Sequence, residues 1–417
     1  MRATNIPGPS GHPPPPFLIV TPYYTRCLQL LLKDDTAKFR SEMQGQMVEY
    51  LARGDRHLLI VLPTGGGKTM AMALPSFIEP DGITLVVVPF VALMEDLKKR
   101  LTHWNIPWGM FGQKDADTKR VIFVSIEVAA RPEFTQYSRN LGTSGLLRRI
   151  ILDEAHHFLM SSHFRPAFIY LVNLIAAGCS IGFLTGSMPP EYEDELWSAL
   201  GIPRHLTITL RAPSTARPEI SYRFTKVDAD DLEEKVVEYV NSVTLREEER
   251  GIVFCNTKAK ARQMAEALGV KAYTSELKLH EKKEIMRDWL DGTHCWLVGT
   301  PAIGSGLDHA HVRYVVHVEP SYTLIDYTQE TGRAGRDGKP SVAQTFHSGP
   351  PLGSADDATR FGGYEEMAAM VKAVDSCPRF HMTRFLDGKG ANCPATPGAE
   401  FCGNCQKRLV RHLFFVC

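Results

Sequence analysis

Leu62-Pro63-Thr64-Gly65-Gly66-Gly67-Lys68-Thr69 decides the fold. The apolar run Leu58 to Leu62 leads into it, and Met70-Ala71-Met72-Ala73-Leu74 leads out. That order predicts a strand, a glycine-rich turn and a helix. Glycines let backbone N–H groups turn inward onto a phosphate chain, and the new helix adds its positive end. Lys68 then suits the β- and γ-phosphates, and the Thr69 hydroxyl suits Mg²⁺. A glycine-rich loop that binds nothing has the same letters, so the segments downstream must separate the two.

The chain has 417 residues, enough for two or three domains. Lys+Arg and Asp+Glu are balanced at 47 each, so any nucleic-acid partner is held by local basic patches rather than by net charge. No apolar run reaches transmembrane length, and no membrane partner is expected. Met1 to Pro16 is proline-rich and lacks the charged start and apolar core of a secretory signal. Residues 1–27 are expected to be a disordered tail.

Downstream, strands and helices alternate. Thr84 to Val88, Val121 to Ser125, Ile150 to Leu152 and Ile181 to Leu184 are apolar runs of strand length. Val91 to Leu101 carries Leu93, Leu97 and Leu101 on one helical side. The pattern predicts an α/β fold with doubly wound parallel sheets and ligands at the carboxyl ends of strands.

Ile150-Ile151-Leu152-Asp153-Glu154-Ala155-His156 is the second anchor. Hydrolysis of a nucleotide needs one carboxylate to hold Mg²⁺ and another to orient the attacking water. Asp153 and Glu154 emerge at a strand end to do so. Together with the Lys68 loop they form a nucleotide-hydrolase signal. Before the loop, Arg40 and Gln44 suit an adenine, although solvated polar residues on a helix face have the same spelling. After Leu184, Thr185-Gly186-Ser187 suits a relay away from the nucleotide, or a polar turn.

Two prolines between Ala212 and Pro218 place an interdomain linker there. A second α/β unit follows, with strands at Gly251 to Cys255, Trp296 to Thr300 and Tyr314 to Val318. It holds Gly304-Ser305-Gly306-Leu307-Asp308 and then Gln329-Glu330-Thr331-Gly332-Arg333-Ala334-Gly335-Arg336-Asp337-Gly338. Two arginines on a glycine-spaced segment suit a γ-phosphate. This unit has no phosphate loop of its own, which argues for one composite ATP site.

These residues resemble the superfamily 2 helicases, and within them the RecQ family, over Phe39 to Cys405. The resemblance rests on Phe39-Arg40 with Gln44, the Thr64 to Thr69 loop, Asp153-Glu154-Ala155-His156, Phe164-Arg165-Pro166, Arg217-Pro218 and Gln329 to Gly338. It implies a RecA-like lobe over 28–212, a second over 213–350, and a linker with a zinc module over 351–417. It implies ATP and Mg²⁺ held by Arg40, Gln44, Thr64, Gly65, Gly66, Gly67, Lys68, Thr69, Asp153 and Asp308. Glu154, Gln329, Arg333 and Arg336 join Lys68 and Asp153 in hydrolysis. It implies 3′-to-5′ travel on single-stranded or tailed duplex DNA, and a nuclear location. The style looks most like the RecQ-type helicases of fungi. No segment names a protein partner.

The chain departs from the family in places. Thr185-Gly186-Ser187 replaces Thr-Ala-Thr. The stretch after His156 is short and has no tryptophan, leaving His157 and Phe158 to sense DNA. Tyr273-Thr274-Ser275-Glu276 replaces Tyr-His-Ala-Gly. Only Gln406 to Cys417 follows Cys405, too little for a winged helix, so weak unwinding of short tailed duplexes is expected. An RNA-directed ATPase and a non-catalytic nucleic-acid scaffold stand as alternatives.

Of nine cysteines, four (Cys377, Cys393, Cys402 and Cys405) cluster near the C-terminus, ahead of Cys417 at the last position. Cys402-Gly403-Asn404-Cys405 places two thiolates on a tight turn, suited to one tetrahedral Zn²⁺. Cys377 and Cys393 supply the other two ligands. Cys393 stands in for a cysteine the family carries just after the pair, and His381 is the nearby alternative.

Overall fold

The central strands form around runs of β-branched and other apolar residues. Ile83-Thr84-Leu85-Val86-Val87-Val88 is buried at every position, as expected of a parallel strand covered on both faces. Residues 22–63, 65–89, 91–157, 172–304, 307, 309–351 and 357–415 are described in this computed structural model. The chain divides into two compact units, Met1–Pro213 and Ser214–Cys417.

The first unit holds β1 (His57–Val61), β2 (Ile83–Val88), β3 (Trp108–Met110), β4 (Val121–Ser125), β5 (Leu147–Leu152), β6 (Ser180–Thr185) and β7 (Thr207–Arg211). They make one parallel sheet in the order β3-β4-β2-β5-β6-β1-β7. Helices Pro22–Leu32, Glu42–Arg53, Met70–Ile78 and Val91–His103 contribute Leu31, Met47, Leu51, Leu74 and Leu97 to the core over β1, β2 and β4. The sheet order places the carboxyl ends of β5, β6 and β1 side by side. Strands lie about 4.8 Å apart. Asp153-Glu154, Thr185-Gly186-Ser187 and the Lys68 loop follow these three strands, so segments more than a hundred residues apart meet at one edge.

The second unit holds β8 (Ile220–Lys226), β9 (Arg250–Cys255), β10 (Ala272–Tyr273), β11 (Trp296–Gly299), β12 (Val312–Val318) and β13 (Ser341–His347). Its parallel sheet runs β10-β11-β9-β12-β13-β8. The edge strand β8 is covered by the cysteine segment. Ser221 Oγ donates to Phe401 O at 2.8 Å, and Glu400 N donates to Pro218 O at 2.7 Å. These contacts cover the first residues of the β8 edge, where pairing with another strand is thereby blocked.

Two expectations change. The tail expected over 1–27 is helical from Pro22 onward, in helix Pro22–Leu32. Proline suits the first helical position, where its missing N–H costs nothing, and Cys27, Leu28 and Leu31 are buried. The linker after Gly349 contains a short helix, Asp357–Phe361. Residues 1–21, Thr64, Phe158, Phe164-Arg165-Pro166, Ser305-Gly306 and Asp308 lie outside the described residues. Among the described residues, no helix is long and apolar enough to cross a membrane.

Candidate nucleotide site and cysteine cluster

The loop after β1 is held by the helix before it. Ser41 caps helix Glu42–Arg53 by accepting from Gln44 N at 3.2 Å, which fixes Gln44 at the first turn. Gln44 is buried. Its Nε2 donates to Gly67 O at 3.1 Å, and its Oε1 accepts from Arg40 N at 2.7 Å. Arg40 Nη1 donates to Gly65 O at 2.5 Å. Both side chains expected to meet a base thus also fix the loop. Gly65 and Gly67 have φ of +83° and +79°, and a Cβ at Gly67 would lie 2.0 Å from Gln44 Nε2. Helix Met70–Ile78 begins at Thr69, whose side chain makes no capping bond. Lys68 Nζ donates to Leu62 O at 3.0 Å, close to the loop it is expected to serve.

Asp153 follows β5, with its N–H bonded to Val87 O at 3.0 Å. Burial, then the neighbouring Glu154, push its carboxyl up to about 7, while Lys68 pulls it down. The Lys68 charge therefore reaches Asp153. Glu154 takes a left-handed backbone, φ +48°, uncommon for a residue with a side chain. Its N–H donates to Asp153 Oδ1 at 3.0 Å. This turn separates the two carboxylates, leaving Asp153 buried and Glu154 partly open.

A polar chain runs on to β6. His156 Nδ1 lies 3.4 Å from Glu154 Oε2 and 2.9 Å from Thr185 Oγ1. Thr185 Oγ1 accepts from Ser187 N at 3.1 Å. Burial, then His157 and Lys68, hold His156 well below its usual value, so the ring is neutral. These contacts join Glu154, through His156, to the Thr185-Gly186-Ser187 segment.

In the second unit Gln329 lies on helix Leu324–Thr331, and Arg333 and Arg336 lie just beyond it. Arg333 Nη1 donates to Leu307 O at 3.0 Å. Glu330 is buried and anchors the helix through His317 Nε2 at 3.0 Å and Ser321 Oγ at 2.5 Å. Arg313 Nη1 donates to Asp337 Oδ1 at 3.0 Å and fixes the far end of the segment.

The cysteine cluster passes a geometric test for zinc. Cys377, Cys393, Cys402 and Cys405 are all buried, and their sulfurs lie within 4.8 Å of one another. Two pairs are 3.6 and 3.7 Å apart. A tetrahedron with Zn–S bonds of about 2.3 Å has edges of about 3.8 Å. Cys402 N and Cys405 N donate to Cys393 Sγ and Cys402 Sγ, both at 3.3 Å, which favours sulfur in its thiolate form. His381 Nε2 is bonded to Ser376 Oγ at 2.8 Å, which leaves four sulfurs as the donor set.

Known helicase families match parts of both units. The DEAD/DEAH box helicase family matches residues 41–195. The helicase conserved C-terminal domain matches residues 232–338. The ATP-dependent DNA helicase RecQ of Synechocystis sp. is 30% identical over 352 residues, which cover 76% of this chain and 70% of that protein. This chain belongs to the RecQ family of helicases. The ATP-dependent DNA helicase Q5 of Rattus norvegicus is 27% identical over 74% of this chain. The chain spans 35% of the length of that relative. Among solved structures, the Mycobacterium smegmatis helicase Lhr bound to ssDNA and AMP-PNP covers 80% of this chain and matches over 48% of its own. It has a TM-score of 0.57 at 20% identity, a likeness of fold.

In this RecQ-family chain the sequence pattern missed three supports of the site. Gln44 and Arg40 brace the loop as well as standing beside it. His156 joins Glu154 to Thr185. Arg217, quoted only as part of a motif, donates Nη1 to Gly332 O and Nη2 to Ala334 O, each at 2.8 Å. No local signal in Arg217-Pro218 points to a segment 115 residues away.

Proposed function

We propose that this chain is an ATP-dependent DNA helicase or translocase that moves 3′ to 5′ on single-stranded DNA. The observation that carries the proposal is the placement of the Lys68 loop and of Asp153 and Glu154 at the carboxyl ends of β1 and β5, the two strands that flank β6, in a chain of the RecQ family. Lys68 and the loop N–H groups bind the phosphates of ATP. Thr69 and Asp153 would hold Mg²⁺. The fit lies in Asp153 itself, a buried carboxyl beside a second carboxylate with Lys68 as the cation it senses. Mg²⁺, when bound, offsets phosphate charge. Glu154, more open than Asp153, orients the attacking water and takes its proton. Gln329, Arg333 and Arg336 act on the same hydrolysis step, the arginines against charge that develops on the γ-phosphate. The contact from Glu154 through His156 to Thr185 carries the state of the nucleotide towards the nucleic acid. Zinc on the four cysteines adds folding free energy and takes no part in hydrolysis.

The test is strand displacement on short duplexes with a 3′ or a 5′ single-stranded tail. Displacement of the 3′-tailed duplex in an ATP-dependent manner is expected. Preference for the 5′ tail would overturn the polarity, and equal action on RNA would favour the RNA-directed alternative.

A further inference from the structure

The Arg333 segment is gripped by a side chain from the start of the second unit. Arg217 lies just before β8, and its two Nη groups hold Gly332 O and Ala334 O, the carbonyls on either side of Arg333. Its Nε donates to Glu219 Oε1 at 2.5 Å. A guanidinium is a planar fork, so three fixed acceptors define its position closely.

Arg217 is itself placed by the cysteine segment. Its carbonyl accepts from Arg379 Nη1 at 2.7 Å. Arg379 Nη2 donates to Ile220 O at 2.8 Å and Glu400 O at 3.2 Å. The Arg379 guanidinium lies 5.2 Å from the Tyr222 ring centroid, and only 1% of the residue is exposed. Arg379 comes two residues after Cys377, and Glu400 two before Cys402. At the other end of helix Pro378–Asp387, the Asp387 carboxylate accepts from Thr215 N at 3.0 Å and from Ser214 Oγ at 3.2 Å. Residues 214–220 are thus clamped at both ends by one helix, and that helix is rooted in the cysteine cluster.

We propose that Arg379 and Arg217 are positioning residues that tie the placement of Arg333 to the folded cysteine cluster. Zinc occupancy then reaches ATP turnover through the backbone of residues 332–334. A buried arginine bonded to three carbonyls has little freedom, so displacement of Cys377 or Cys402 is passed on rather than absorbed. A lysine at either position keeps the charge and loses the fork.

This inference rests on the proposed function for its effect on turnover, while the clamp itself is open to direct measurement. The experiment uses the full chain as parent, Arg217→Lys and Arg379→Lys. It measures ATP hydrolysis with single-stranded DNA, zinc content, and amide hydrogen exchange. Arg217→Lys should lower kcat at least about tenfold, because small misplacements near a reacting group are costly. KM for ATP should stay within about twofold of the parent value, because the arginine matters most in the transition state. Zinc content should be unchanged. Arg379 bonds to the carbonyls of Arg217, Ile220 and Glu400 and also reaches Cys393, and none of these partners lies in 332–335, so faster exchange at 332–335 in Arg379→Lys is the signature of the relay. Exchange that quickens only around 217–220 and 400 would overturn it. A kcat loss in Arg217→Lys that is wholly accounted for by lost zinc, or unchanged kcat with faster exchange, would also overturn it. If the parent shows no DNA-stimulated turnover, the proposed function fails, and exchange at 332–335 still decides whether the clamp exists.

Discussion

Alanine at Gly67 and alanine at Gly65 separate two costs in the phosphate loop. Both residues hold left-handed backbones, where a side chain costs roughly 1–2 kcal/mol. Around Gly65 a Cβ would meet nothing within 4 Å, whereas at Gly67 it would lie 2.0 Å from Gln44 Nε2 and 3.0 Å from Gln44 Cδ. Gln44 must therefore leave in Gly67→Ala. Its bonds to Gly67 O and from Arg40 N are lost, at about 1 kcal/mol each. Gly67→Ala should cost about 2 kcal/mol more than Gly65→Ala, or roughly 30-fold in nucleotide affinity. Isothermal titration with a non-hydrolysable ATP analogue reads both losses. The same titration in a Gln44→Ala background closes a double-mutant cycle. There the Gly67→Ala step should shrink to the size of Gly65→Ala, because the clashing partner is gone. Equal losses at the two glycines, or an unchanged Gly67→Ala step without Gln44, would refute the claim that Gln44 locks the loop.

Other expectations follow from the same contacts. Lys68→Ala should abolish ATP turnover with little change in thermal stability, since it removes a charge clamp, and Glu154→Gln should bind ATP without hydrolysing it. Nucleotide binding and phosphate release measured side by side check both. Cys402→Ser should lose bound zinc and stability together, read by metal analysis and melting, because structural zinc contributes to folding. Burial, then Glu330, push Asp326 up to about 6. The folded value lies above the unfolded one, so protonation is favoured in the fold and stability falls as pH rises from about 4 to about 6. Asp326→Asn removes this dependence and keeps an acceptor for the Thr323 hydroxyl. Its gain over the parent should grow with pH, to about 3 kcal/mol by pH 8, in denaturant melts at both ends of the range.

The longer strands were legible because each carries an unbroken run of at least three apolar letters. β2, β5, β9 and β12 each bury at least four consecutive positions, and parallel strands covered on both faces leave that trace. β3 and β10 have only three and two residues, too few for any period. β13 reads Ser-Val-Ala-Gln-Thr-Phe-His, yet Gln344 and Thr345 are buried. Gln344 Nε2 pays for its burial by donating to Thr225 Oγ1 at 3.0 Å, a partner 119 residues away. Lys68, Asp153, Glu154 and the Cys402/Cys405 pair stood out as candidates because each pattern depends on a short spacing. The supports of those residues did not. Arg217 and Arg379 act through backbone carbonyls of distant segments, and a carbonyl has no letter of its own.

ATP hydrolysis by the full chain, measured with no nucleic acid, with single-stranded DNA and with single-stranded RNA over a series of salt concentrations, tests the central claim most directly. Turnover should rise with DNA well above its rise with RNA, and the DNA effect should weaken steeply with salt as phosphate contacts are screened. Stimulation by RNA equal to or above that by DNA, or no turnover under any of these conditions, would contradict the assignment of this chain as a DNA-directed ATPase.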